Sequence, residues 1–402
     1  MIWLLATLAF AEDDDRLEGE TITGDAVRPE LGDVEDRGAS LDLVETGSKW
    51  NARVVYGARA LALEEDFVGG VQRGCELIYK RRYKDAKSHW AQMGEDWPGR
   101  AIEHAGMVLV WQALMMENFD FQFEKQYDRS YAKAMEESEA AIEEPGREGW
   151  DHFIAAAMLG VEAIHVMRKE DYLPAIWTGL EAVEHVKHVR EHAPDFKDVL
   201  LGDGLYKYWR SVITMSSKAL PDFGDERAEG IADMIQAENE AVFLGPGATM
   251  ALAFTWIEER KTDKALASTL KNHRAYPDNV VNNLILARVY LSQRRFKDSK
   301  KILDQVLEDA PDNQRVQYYL ATVNQKLADY PQAMEHVDTY LSFDLLPYYE
   351  AQGYHRKGEI YFRTKKYEQA EAWYKKSVKT DGYKPAKKRL EKLKVMKKEG
   401  KY

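Results

Sequence analysis

Small residues recur at a period of 34 late in the chain: Ala253, Ala287 and Ala321. Twelve residues after each comes another, Ala265, Ser299 or Ala333, and three residues after each sits Trp256, Tyr290 or Asn324. Pro277 and Pro311 close two of these units at the same offset. A fourth unit follows with Gly358, Tyr361 and Ala370, after a step of 37 that inserts three residues near Leu345-Leu346-Pro347. A fixed period of this length means one supersecondary unit per repeat, each burying its apolar face on the next. Strand signals are almost absent from residues 55 to 395, and prolines and glycines break that stretch into helical segments. The unit is therefore an antiparallel helix pair. Small residues let helix A approach helix B, while Trp256, Tyr290 and Tyr361 fill the groove to the next pair. Asp278, Asn279, Asp312 and Asn313 are placed to cap the helices that follow them.

Arg295-Phe296-Lys297-Asp298 and Lys366-Tyr367-Glu368-Gln369 sit at the turn into helix B. Over about 240–383 this pattern resembles the tetratricopeptide repeat. The earlier half is looser. Gly74, Ala86 and Pro98 repeat the offset of 12 once, with Arg82-Tyr83-Lys84-Asp85-Ala86 at the turn, and a further pair fits Gly160, Asp171-Tyr172-Leu173-Pro174-Ala175 and Pro194. The expected fold is all-α, a right-handed helix-pair solenoid of tetratricopeptide type with a looser N-terminal half. Its regions are a helical part at 51–240, tandem repeats at 241–383 and a basic capping helix or tail at 384–402. Asp198, Gly202, Gly204, Tyr206 and Tyr208, with Gly224, Asp225 and Gly230 after them, resemble segments of a family of exported bacterial tetratricopeptide-repeat proteins. That resemblance covers roughly 55–345. It implies fold and compartment and adds little chemistry.

The compartment has a second signal. Ile2 to Ala11 form an apolar run ending in Ala9-Phe10-Ala11, a small-x-small cleavage pattern, and Glu12-Asp13-Asp14-Asp15 follow. The run is shorter than the ~20 residues that span a bilayer. It reads as a secretory signal peptide over 1–11, although no Lys or Arg precedes it, and predicts a periplasmic or secreted protein of a bacterium. Residues 12–50 carry thirteen acids against four bases and no periodicity, so they read as a disordered tail, either a spacer or an acidic docking arm. From Lys384 on, nine bases face two acids.

Composition removes several function classes. One cysteine, Cys75, excludes an intramolecular disulfide and Cys-based metal centres, and a net charge of −12 argues against nucleic acid. No phosphate-loop, hydrolase-elbow or zinc-protease motif occurs, so no enzyme activity and no cofactor is expected. Gly202-Asp203-Gly204 reads as a helix interruption where backbones pack closely. Cys75 reads as a buried thiol, and Trp97, Trp111, Trp150, Trp177 and Trp209 as core. The phenylalanines of Asn118-Phe119-Asp120-Phe121-Gln122-Phe123 alternate, as in an extended connector or a packed helix start. His185, His188 and His192, with Glu181, share one face of a helix. That face is either solvated or partner-facing, or it chelates zinc, copper or nickel.

Binding is expected in the groove lined by helix A. Its outward positions include Phe254, Ile257, Leu284, Arg288, Leu291, Arg315, Tyr318, Thr322, His355, Glu359 and Phe362, with Arg363 near the wall. Part apolar and part cationic, such a face suits a peptide with apolar anchors and a few acidic groups. The same side chains could instead pack on the protein's own long N-terminal half. The expectation is a non-catalytic scaffold of the cell envelope with protein partners. The rival is a periplasmic binder of an apolar or organic-acid ligand serving a transporter, with its cavity in the Trp- and Met-rich stretch 90–215.

Overall fold

The computed structural model describes residues 31, 34, 48–143, 146–169, 171–216 and 224–402. The apolar run Ile2–Ala11 and nearly all of the acidic segment lie outside the described residues. Among the described residues there are eighteen α-helices and no strand, an all-α chain of helix pairs of tetratricopeptide type. No helix in them is long and apolar enough to cross a membrane. Two compact units form: one from 48–116 and 121–279, the other from 117–120 and 280–402.

The first unit holds α1 (Ala52–Leu61), α2 (Glu65–Tyr79), α3 (Tyr83–Asp96), most of α4 (Ile102–Asn118), α5 (Glu124–Ile142), α6 (Glu148–Arg168), α7 (Tyr172–His192), α8 (Val199–Ser216), α9 (Arg227–Glu240), α10 (Gly245–Glu258) and α11 (Thr262–Ala275). Trp90 of α3 is fully buried. Its indole is wedged between Gly74 of α2 and Gly106 of α4, where a Cβ on either glycine would stand 2.2 Å from ring atoms. The glycines thus set the distance between three helices. Gly204 and Gly230 do the same for α8 and α9: a Cβ on each would meet the other's carbonyl oxygen at 2.5 Å. The close backbone approach expected around Gly202-Asp203-Gly204 is present, but the interruption is not. α8 runs straight through, because a helix needs no break to bring a bare Cα against its neighbour.

Asp198 joins two parts of this unit. Its buried carboxylate accepts hydrogen bonds from the backbone N–H groups of Val242 (2.7 Å), Phe243 (2.8 Å) and Leu244 (2.9 Å). It thereby fixes the chain just before α10, whose Pro246 fills the first turn. Burial pushes its pKa up to about 6, against the opposing pull of those three donors. The Cys75 thiol is buried and its pKa rises to about 12, so it is an inert packing group. Of the five tryptophans expected in the core, Trp150 and Trp209 are buried and Trp97 and Trp111 half-buried, while Trp177 is 69% exposed.

The second unit holds α12 (Val280–Ser292), α13 (Phe296–Asp309), α14 (Gln314–Lys326), α15 (Tyr330–Tyr340), α16 (Pro347–Arg363), α17 (Tyr367–Asp381) and α18 (Lys384–Lys398). α13 buries Ser299, Ile302, Leu303 and Val306, one stripe of a 3.6-residue period. Ser299 Oγ donates to the Ala287 carbonyl at 2.8 Å, tying together the two small positions that lie twelve apart in sequence. Asn313 caps α14, its side-chain oxygen accepting from the N–H groups of Arg315 and Val316 at 3.0 Å each. The turns into helix B place a non-glycine residue in the left-handed region: Arg294 (φ 58°), Ala328 (φ 62°) and Lys365 (φ 59°). Each leaves its helix through a bond such as Arg295 N–H to the Tyr290 carbonyl, 2.8 Å. α18 seals the end, burying Ala386 and Leu393 with Tyr374 and Tyr383.

Candidate functional site

The groove side chains foreseen from the repeats are interior ones. Phe254 and Ile257 on α10, Leu284, Arg288 and Leu291 on α12, Arg315, Tyr318 and Thr322 on α14, and His355 and Glu359 on α16 are all buried. Phe362 is half-buried against Tyr367, with Arg389 and Lys392 over its ring.

In the second unit what covers them is visible. The Arg315 guanidinium lies over the rings of Phe119 (4.6 Å), Tyr318 (5.4 Å), Tyr319 (5.4 Å) and Tyr349 (5.6 Å). Phe119 meets Tyr349 edge-on at 5.2 Å. The side-chain amides of Asn313 and Gln314 each donate, at 2.5 Å, to the carbonyls of Glu117 and Phe119. The tetrapeptide 117–120 is thus gripped as a peptide ligand would be, by main-chain carbonyls and one aromatic anchor. Phe119 takes a positive φ of 62° in doing so. Deeper in, Arg356 donates to Gln325 Oε1 at 2.6 Å, and burial lowers its pKa to about 10. Glu359 pairs with Arg389 at 2.6 Å and accepts from the Tyr374 hydroxyl. Burial works against its charge, yet His355 and Arg389 hold its carboxyl below the usual range.

An open cleft remains beside this interior. Its volume is about 340 Å³, and it is lined by Leu291, Arg294, Phe296, Gln325, Lys326, Ala328, Tyr330 and Arg363. Leu291, Phe296 and Tyr330 give an apolar floor. Arg294, Lys326 and Arg363 give three positive charges, and no carboxylate lines it. Arg294 and Arg363 are exposed, and among the described residues neither joins an ion pair. Arg294 stands in the left-handed turn after α12, with a φ of 58°.

The first unit has its own cavity, about 90 Å³, walled by Trp90, Trp150, Phe153, Ile154 and Met158 among others. Asp198 is its one charged wall residue, and Cys75 also reaches it.

Two family models described as tetratricopeptide repeat match the chain, over residues 257–323 and 351–382. The chain carries tetratricopeptide repeats. The matched segments run from the end of α10 into α14 and from α16 through α17, and so contain every wall of the basic cleft except Lys326, Ala328, Tyr330 and Gln325. Tetratricopeptide repeats are in general protein-interaction modules. No curated protein matches the chain.

Sequence reasoning reached Leu291 and Arg363 but passed over Arg294 and Lys326. Arg294 belongs to the turn after its helix and Lys326 is the last residue of α14, so neither was among the outward positions of helix A. A signal for Arg294 was available: Arg260, Arg294 and Ala328 recur at the same period of 34, two residues past the end of each helix A.

Proposed function

We propose that the protein is a non-catalytic interaction module of a bacterial cell envelope, and that its tandem repeats take an acidic segment of a partner in the cleft of Arg294, Lys326 and Arg363. The observation that carries this reading is a cleft with apolar floor, cationic rim and no acid. Cationic groups there attract a carboxylate-rich peptide and speed its encounter, while Leu291, Phe296 and Tyr330 bury an apolar anchor. The grip of Asn313 and Gln314 on the carbonyls of Glu117 and Phe119 supports the same reading, since these repeats already hold a helix end and its turn by their main chain.

A labelled peptide of glutamates ending in Phe, read by fluorescence anisotropy, tests this. Reversing both charges in Arg294→Glu/Arg363→Glu is expected to weaken binding roughly ten-fold or more, about 1.4 kcal/mol. High salt should weaken the wild type in the same direction. Equal affinity for the wild type and the double variant sinks the proposal. Both side chains are exposed, so the fold should tolerate the change.

The envelope location rests on the sequence of Ile2–Ala11. Expressed from its own start in a bacterial host, the chain should appear in the periplasmic or secreted fraction with Glu12 as its first residue. A cytoplasmic product retaining Met1 removes this part of the proposal.

The cavity of the first unit favours a second reading, a small apolar ligand. At about 90 Å³ it is smaller than an engineered cavity of ~150 Å³ that admits benzene. Without rearrangement it has no room for a lipid chain, so that reading is confined to very small molecules.

A further inference from the structure

Four of the ten histidines converge on one surface of the first unit. His185, His188 and His192 lie on α7, as their spacing requires. The structure adds His152, which α6 brings across from 33 residues away. His152 Nδ1 and His185 Nδ1 face each other at 2.9 Å, and the His188 ring lies against the His152 ring with centroids 4.5 Å apart. His192 is engaged differently: its Nδ1 bonds the His188 carbonyl at 2.9 Å and finishes the helix.

We infer that His152 and His185, with His188 as third ligand, form a binding site for a borderline divalent transition ion, zinc foremost. Two nitrogens bound to one tetrahedral zinc at about 2.0–2.1 Å sit about 3.3 Å apart, so the His152–His185 pair already stands near that separation. The two ligands come from different helices of a packed pair, which fixes their spacing better than one exposed helix does. His188 is half-exposed, so rotation of its ring brings a nitrogen to the pair without disturbing the core. Half-buried His152 and His185 leave a path for the ion and for water as fourth ligand. Glu148, Glu181 and Glu139 surround the group at longer range and add negative potential, and Glu191 touches His188 at 3.5 Å.

Among the described residues the trio whose ligand atoms already lie within 4.8 Å of one another is a different one, Glu124, Asp128 and His165. There Lys169 already sits on the Glu124 carboxylate and Arg168 stands close by, so the positive charge an ion would bring is supplied. The groups that act most strongly on His152 and His185 are imidazoles and carboxylates, and the site selects nitrogen-seeking ions over calcium or magnesium.

The test is zinc alone, added to the full chain after chelator treatment and measured by competition with a chromophoric chelator. The wild type is expected to take up one equivalent. His152→Ala and His185→Ala should each bind about ten-fold or more weakly, a loss of the size seen when metal-site partners are removed. His152→Asn keeps a small polar side chain and serves if the alanine variant misfolds, with circular dichroism checking the helices of each. His273→Ala, on α11, should bind as the wild type does. Cobalt(II) should give the intense visible bands of four-coordination in the wild type and lose them in His185→Ala. No zinc uptake, or equal uptake by the wild type and His152→Asn, overturns the inference.

Discussion

Asp198→Ala should destabilise the first unit by about 2 kcal/mol or more at pH 7, because it strips three inward N–H groups of their acceptor at roughly 1–3 kcal/mol each. The loss is offset in part, since burying the charge is itself unfavourable. The carboxyl rises to about 6 from an ordinary 3.8. That rise means the folded state holds its proton more tightly than the unfolded chain. Stability from this group is therefore full below about pH 4 and is lost as pH climbs through about 6, by roughly 3 kcal/mol in all. The gap between wild type and Asp198→Ala should accordingly widen from pH 7.5 to pH 5. Urea unfolding followed by tryptophan fluorescence at both pH values measures it. A gap that narrows on acidification would mean the carboxylate is better solvated than its three partners imply.

Gly106→Ala tests the indole wedge. Alanine is the better helix former by up to about 1 kcal/mol, so local propensity alone predicts a gain. Against it stands a new Cβ 2.2 Å from the Trp90 ring, which cannot retreat because Gly74 confines its other side at the same distance. Overpacking of this kind costs about 1–3 kcal/mol, sometimes more, so the clash wins and the melting temperature should fall. Adding Trp90→Phe to Gly106→Ala shrinks the ring and should restore part of the loss, a coupling a double-mutant cycle reads directly. If Gly106→Ala proves neutral or stabilising, the indole does not set the spacing of α2, α3 and α4.

The helix pairs of the tandem repeats were legible because Ala253, Ala287, Ala321 and Gly358 repeat a steric requirement that no other residue size meets. The covering of the groove was half legible. α10 and α12 are apolar almost all round, Met250 to Ile257 and Val280 to Leu291, and a helix apolar on every side is covered on every side. α14 carried no such warning: Gln314, Arg315, Gln317, Thr322 and Gln325 read as a wet face, yet they are buried. Their burial depends on partners far off in sequence, such as Glu117 and Phe119, which no periodicity can point to. His152 was missed for the same reason. The spacing within α7 gathers His185 and His188, but only the packing of α6 on α7 supplies the histidine opposite them.

The grip on residues 117–120 also orders events in time. Asn313 reaches back 196 residues to the Glu117 carbonyl. At synthesis rates of about 5–20 residues per second, Phe119 leaves the ribosome roughly 10–40 s before the helix that seats it exists. For that interval a phenylalanine with a left-handed backbone has nothing to hold it there. A chain truncated before Asn313 would never receive its clasp, so the last third of the sequence completes a fold that the first third has had to leave open.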